Sequence, residues 1–235
     1  MSHDAVRAAL AATPTSVDDA VSIMEALAAA LPPTDGVACF NRLYLETTKN
    51  VREAIVGAVF EDAAFLTRLD VVFANLYFDA LRSDLAAPRT APRAWEALLC
   101  HRARPRTHPL QFALAGMNAH INFDLPRALL LTTRELGGTV AAGTPRHRDF
   151  ESVNKVLAQT EAAVKKLFLQ GALSQIDDAL GDVDDRVALW SIAKARDAAW
   201  TQGETLWFVR GTPLEGALVT TLDRTVSLIG AALVV

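Results

Sequence analysis

The spacing H-x-x-x-D at His120 and Asp124 puts an imidazole and a carboxylate one helical turn apart on the same side of a helix. An imidazole bonded to a carboxylate has a fixed tautomer and raised basicity. That suits general acid/base work or metal ligation. A purely structural His–Asp pair has the same spacing, and Asp124 could equally cap a helix starting at Pro126.

Asp70 is a second carboxylate, set in the apolar stretch F-L-T-R-L-D-V-V-F-A-N-L-Y-F from Phe65 to Phe78. On a helical wheel it shares a face with Leu66, Phe73, Ala74 and Tyr77. An unpaired buried carboxylate costs several kcal/mol, out of the ~5–15 kcal/mol that hold a domain together. Asp70 therefore needs an arginine, a metal, side-chain donors or a retained proton. Arg42 and Arg68 are the candidate cations. If a divalent metal is held, His120, Asp124 and Asp70 are the ligands to expect. No H-x-x-x-H, H-E-x-x-H or paired E-x-x-H spacing adds to them. His101, His108 and His147 adjoin expected loops and suit surface or capping roles.

The segment P-L-Q-F-A-L-A-G-M-N-A-H-I-N-F-D-L-P, Pro109 to Pro126, carries two polar stripes. Gln111, Asn118 and Asn122 fall within about 40° of one another, and His120, Asp124 and Arg127 lie opposite. Asn118 and Asn122 are read as substrate-positioning groups, with interhelical ties as the alternative. Tyr77 and Asn75, after Asp70 on its helix, are assigned the same positioning role. Trp200 and Trp207, on one side of a later helix with Asp197 and Glu204, would close an apolar wall. The alternative is an aromatic stripe facing the core.

These residues need helices to hold them. Prolines punctuate alanine- and leucine-rich segments, and period-2 alternation is nearly absent, so the chain reads as all-α. Ser16 with Asp19 has the form of a capping box for a helix to about Leu31. Further helices are expected from Gly36 to Val59 with a break near Asn50, from Asp62 to Leu85, and from Arg93 to Ala103. Another runs from His108 to Leu136, kinked or broken at Pro126. A loop spans Gly137 to Arg148. Helices from Asp149 to Leu180 and from Asp182 to Phe208 follow. Gly211-Thr212-Pro213 precedes a last helix in which Leu218, Leu222, Val226, Ile229 and Leu233 keep a 3.6 period. The expected architecture is one domain over residues 1–235. It is a compact bundle of about eight helices around two buried ones, Asp62–Leu85 and His108–Leu125.

Hydrophobic residues make up 51% of the 235 and charged residues 21%, which excludes a disordered chain or a coiled-coil rod. The formal charge of -4 comes without a basic block, so nucleic acid is not an expected partner. The acidic run Asp177 to Asp185 is superficially similar to the magnesium-diphosphate motif of helical terpene synthases. Capping and solvation explain it more simply. Cys39 and Cys100 are read as free, buried thiols. No basic leader precedes an apolar stretch, and the run Leu228 to Val235 falls short of the ~20 residues a membrane span needs. The expected location is the cytoplasm. No G-x-S-x-G, Walker or dinucleotide motif occurs.

Four segments resemble the bacterial domain-of-unknown-function family DUF 5995: D-G-V-A-C-F-N-R-L-Y (Asp35 to Tyr44), L-D-V-V-F-A-N-L-Y-F (Leu69 to Phe78), Pro109 to Pro126, and A-R-D-A-A-W with L-W (Ala195 to Trp200, Leu206-Trp207). This resemblance implies no activity. His120, Asp124 and Pro126 alone are similar to a metal-binding helix of zinc-dependent phospholipase C, whose further histidines and N-terminal tryptophan have no counterpart here.

Together these residues suggest an enzyme acting on a small, mostly apolar molecule by acid/base or metal-assisted chemistry, as a hydrolase or an isomerase/cyclase. The alternatives are a non-catalytic binder of a lipid-like or terpenoid ligand, and a structural interaction module. The apolar C-terminal helix offers a surface for homodimerisation.

Overall fold

Most helices begin where the sequence supplies a cap. In the computed structural model, which describes residues 3–57, 60–157 and 191–234, α1 covers His3–Ala9 and α2 Val17–Ala30. Ser16 accepts from the Asp19 amide and Asp19 accepts from the Ser16 amide, both at 3.0 Å, completing the capping box. The Asp62 carboxylate accepts from Phe65 N at 2.9 Å and starts α4, Ala63–Ala86. Between them, α3 runs over Gly36–Gly57 with no break at Asn50.

The expected helix from Arg93 to Ala103 is shorter: a 3-10 turn at Arg93–Trp95 and α5, Glu96–Leu99. α6 covers Pro109–Ala119, with His108 and Gln111 forming a reciprocal cap at its start. α7 is Leu125–Leu136. α8 is described over 145–157 and begins inside the stretch expected to be loop. α9 is Ile192–Val209 and α10 Pro213–Leu233. The acidic run, Trp190 and the expected boundaries at Leu180 and Asp182 lie outside the described residues. No strand occurs among the described residues, and the fold is all-α.

α3 packs against both α4 and α6, and α6 lies between α3 and α10. Gly116 permits the contact between α3 and α6, because a Cβ there would collide with the ring of Phe40. α4 meets the other expected central helix through its continuation in α7. α7 in turn packs on α9, where Gly203 faces Leu129.

α10 is docked by one narrow stripe. Asp223 accepts from Arg93 N at 3.2 Å and Ala94 N at 2.9 Å, and only Val226 and Gly230 of this helix are buried. Ile229, expected on the packed face, is half-exposed, and Leu228 is more exposed still. By length and composition α10 is long and apolar enough to cross a membrane, a test the shorter run from Leu228 does not meet. Cys39 is buried as expected, whereas Cys100 is exposed, and both are free. Burial pushes the Cys39 thiol up to about 11, away from nucleophilic range.

Candidate functional site

Between α6 and α7 the helix widens into one π turn, His120–Asp124, closed by a hydrogen bond from Leu125 N to the His120 carbonyl, an i→i+5 bond. Pro126 is the local cause. It has no amide to donate to the carbonyl of Asn122, and its ring would crowd that carbonyl in an ordinary α-helix. The widened turn relieves the conflict without breaking the helix. The expected kink at Pro126 is therefore a π turn just before it.

That turn carries the His–Asp pair. Asp124 has no exposure and is held by three donors: Trp95 Nε1 at 3.1 Å and His120 Nδ1 at 3.1 Å on Oδ2, and Arg127 Nη1 at 3.2 Å on Oδ1. An ionised carboxylate only accepts, so Nδ1–H donates and Nε2 is the lone-pair nitrogen. His120 is 2% exposed, and its Nε2 has no hydrogen-bond partner among the described residues. The ring lies flat on Phe73, with centroids 3.5 Å apart and planes 4° apart, and Tyr44 meets it edge-on at 4.4 Å. Burial lowers the pKa of this imidazole, and the bonded Asp124 only partly opposes that. The ring is thus neutral at physiological pH, oriented, and free to accept a proton at Nε2.

His120 lines a cavity of about 80 Å³ whose other walls come from α3, α4 and α6 through α9. Most of the lining is apolar, with Phe40, Leu69, Phe73 and Ile121 among it. Asp70 and Arg196 are the two charged groups of the wall apart from the imidazole. Asp70 Oδ2 is buried without a partner among the described residues. Burial raises this carboxyl to about 7, against the pull of Arg196. Arg196 is 8% exposed. Its Nε donates to Asn154 Oδ1 at 2.7 Å, its Nη2 to the Phe150 carbonyl at 2.8 Å, and its guanidinium lies 3.9 Å from the Phe150 ring centroid. Burial brings it down to about 10, and Asp70 opposes the shift.

Arg196, not Arg42 or Arg68, is therefore the charge facing Asp70. Arg42 is exposed, and Arg68 pairs with Glu135 at 2.8 Å. The available signal was a lone arginine on the buried stripe Ile192, Arg196, Ala199, Gly203.

The remaining expected site residues stand elsewhere. Asn118 Nδ2 donates to the Val226 carbonyl at 2.9 Å, and Asn122 Nδ2 donates to Asn118 Oδ1 at 3.0 Å, tying α6 to α10. Gln111 joins them through Leu233 O at 3.1 Å. Tyr77 is buried and donates to Asn41 Oδ1 at 3.4 Å. Asn75 donates to Pro14 O and Val71 O, both at 3.0 Å. Trp200 packs on Phe150 and bonds Glu204 at 3.2 Å, and Trp207 stacks under Arg210. None of these seven lines the cavity. Trp95 was not singled out by the sequence, because a tryptophan in a short helix has no distinguishing spacing.

No group of three or more His, Cys, Asp or Glu among the described residues is placed to hold a metal. Asp124 already accepts from three donors, which leaves it poorly suited as a ligand.

A family model described as a family of unknown function (DUF5995) matches residues 17–235. No curated protein and no solved structure matches the chain.

Proposed function

Since the chain belongs to the DUF5995 family, whose description names no activity, its chemistry has to be argued from the site, and we propose that it is an enzyme acting on a small, mostly apolar molecule held in the cavity. His120 Nε2 acts as general base and then as general acid. Asp124 is the positioning residue that fixes the ring, and Trp95 and Arg127 hold Asp124. One observation supports this above the rest: a buried imidazole, bonded at Nδ1 and unpartnered at Nε2, sits in the wall of an apolar cavity. A histidine kept only for structure is expected to have both nitrogens satisfied. Proton transfer at a carbon or oxygen of the substrate, as in an isomerase, a cyclase or a hydrolase, is the reaction class that needs no further group.

A second reading rests on the flat stacking of the ring on Phe73, which covers one face of the imidazole and holds it in place. A non-catalytic carrier of a lipid-like molecule would use the same cavity without moving that ring.

Nitrogen-detected NMR of the histidine rings tests the proposal with 1-butanol as probe. His120 should appear as the Nδ1–H tautomer, and its Nε2 resonance should move on titration. A cavity-filling Leu69→Trp variant that keeps its helical circular dichroism should abolish the movement. A protonated Nε2, or a wild-type ring indifferent to the probe, would overturn the reading.

A further inference from the structure

Arg196 is built to hold a charge that it does not spend on the protein. Its Nε and Nη2 are taken by neutral oxygens, Asn154 Oδ1 and the Phe150 carbonyl, and its face is taken by the Phe150 ring. No carboxylate forms an ion pair with it among the described residues, and its Nη1 makes no hydrogen bond there. A buried guanidinium kept positive without an anion is costly unless something compensates it. Asp70 lies across the same cavity wall and does not contact it, and its own Oδ2 is without a partner. The two groups act on each other through space only. Two complementary side chains held apart, each with bonding capacity left over, leave room for a third polar group between them.

We infer that the molecule taken by this cavity is a monocarboxylic acid, its apolar body among Phe40, Leu69, Phe73 and Ile121 and its carboxylate set between the Arg196 guanidinium and the Asp70 carboxyl. This rests on the small-molecule reading above and names its substrate class. Arg196 offers the planar donors that suit a carboxylate. Asp70, protonated, donates to the second oxygen, so the two acids share one proton and the charge balances. An ammonium head group is disfavoured by the same arginine. A neutral alcohol would leave the guanidinium uncompensated. Three titratable groups line the cavity with Asp70: Tyr44 from α3, His120 from the π turn and Arg196 from α9; α1 and α2, which also pack on α4, contribute none to it. α8 presents the Phe150 ring, and the Glu135 of α7 is engaged with Arg68 outside the cavity. Above about pH 7 binding therefore takes up a proton at Asp70, while Tyr44 stays neutral because burial pushes it up.

Titrations of the full chain with butanoate, 1-butanol and butylamine, followed by NMR, test the assignment, since four-carbon probes suit a cavity of about 80 Å³. Butanoate should bind at least ~10-fold tighter than the alcohol at pH 6, as expected for a charge-assisted contact. Above pH 7 its affinity should fall, approaching ~10-fold per pH unit. Arg196→Met should reduce butanoate to the level of the alcohol and leave the alcohol unchanged. Asp70→Asn, which keeps a donor, should retain butanoate and flatten the pH dependence. Should Arg196→Met not fold, Arg196→Lys serves, with a smaller loss for butanoate alone. Alcohol or amine binding at least as tightly as butanoate overturns the carboxylate assignment and spares the cavity reading. Failure of all three probes to bind overturns both.

Discussion

The helix from Pro109 to Asp124 carries polar side chains on two opposite faces, and the protein treats them differently. On the face toward α10, Gln111 and the bonded pair Asn122–Asn118 each end on a backbone carbonyl of the last helix. On the face toward α3 and α4, His120 is satisfied at one nitrogen and left open at the other, and Asp70 opposite has an oxygen without a partner. Both faces are buried and both are polar. They differ in satisfaction: the amide face uses its capacity to fix the position of a neighbour, and the imidazole face keeps some in reserve. Polarity inside a core thus marks a place to look, and leftover hydrogen-bonding capacity in the wall of a cavity separates a site from a tie.

Four changes probe that contrast. The largest effect is expected for Asp124→Ala, which strands the His120 Nδ1–H, the Trp95 indole and the Arg127 guanidinium together. A loss of ~3–5 kcal/mol in urea unfolding is expected. Asn118→Ala removes the bond to Val226 and the acceptor of Asn122, and should cost ~1–3 kcal/mol with loosened hydrogen-exchange protection in α10.

Asp70→Asn should raise stability by ~1–2 kcal/mol at pH 8, after a discount for partial exposure. The sign follows from the raised carboxyl: its contribution is fully present below the unfolded value of 3.8 and is lost as pH rises through about 7. The wild type and the variant should therefore converge as the solution is acidified toward pH 4. His120 has the opposite sign. Its lowered pKa makes its contribution complete above 6.5 and progressively lost as pH falls below that value.

The smallest effect is expected for His120→Phe. The stack on Phe73 survives and Asp124 keeps Trp95 and Arg127, so unfolding should shift by less than ~1 kcal/mol. The acid-limb destabilisation should disappear with the imidazole. If this variant instead loses more stability than Asn118→Ala, the two faces are both structural and the contrast collapses.

What the sequence made legible was what lies within a turn or two of itself. Ser16 with Asp19, Asp62 before α4, and Thr212-Pro213 before α10 are local signals, and each helix starts where they stand. His120 with Asp124, and the opposed stripe of Gln111, Asn118 and Asn122, follow from helical spacing alone. The open side of the site was harder to read because its parts converge from far apart. Arg196 is fixed by Phe150 and Asn154, more than forty residues earlier, and neither has a sequence cue. Arg42 and Arg68 are the candidate cations in the sequence, but one is exposed and the other reaches Glu135. Tyr77 and Asn75 share the helix of Asp70 and bond away from the cavity, since a helix that is apolar all round has more than one buried face.

The π turn also bears on how such a site could arise. A turn closed by an i→i+5 bond accommodates one residue more than the α-helical turn it replaces. Deleting a single residue from it would return the turn to the α-helical count while the two flanking halves kept their phase. The asparagine contact to α10 and the Leu129 contact to Gly203 would then both stay in register, and only the widened turn that carries His120 and Asp124 would be lost. An insertion or deletion, more simply than any substitution, is thus the genetic event by which an inert helical core would acquire or forfeit this base.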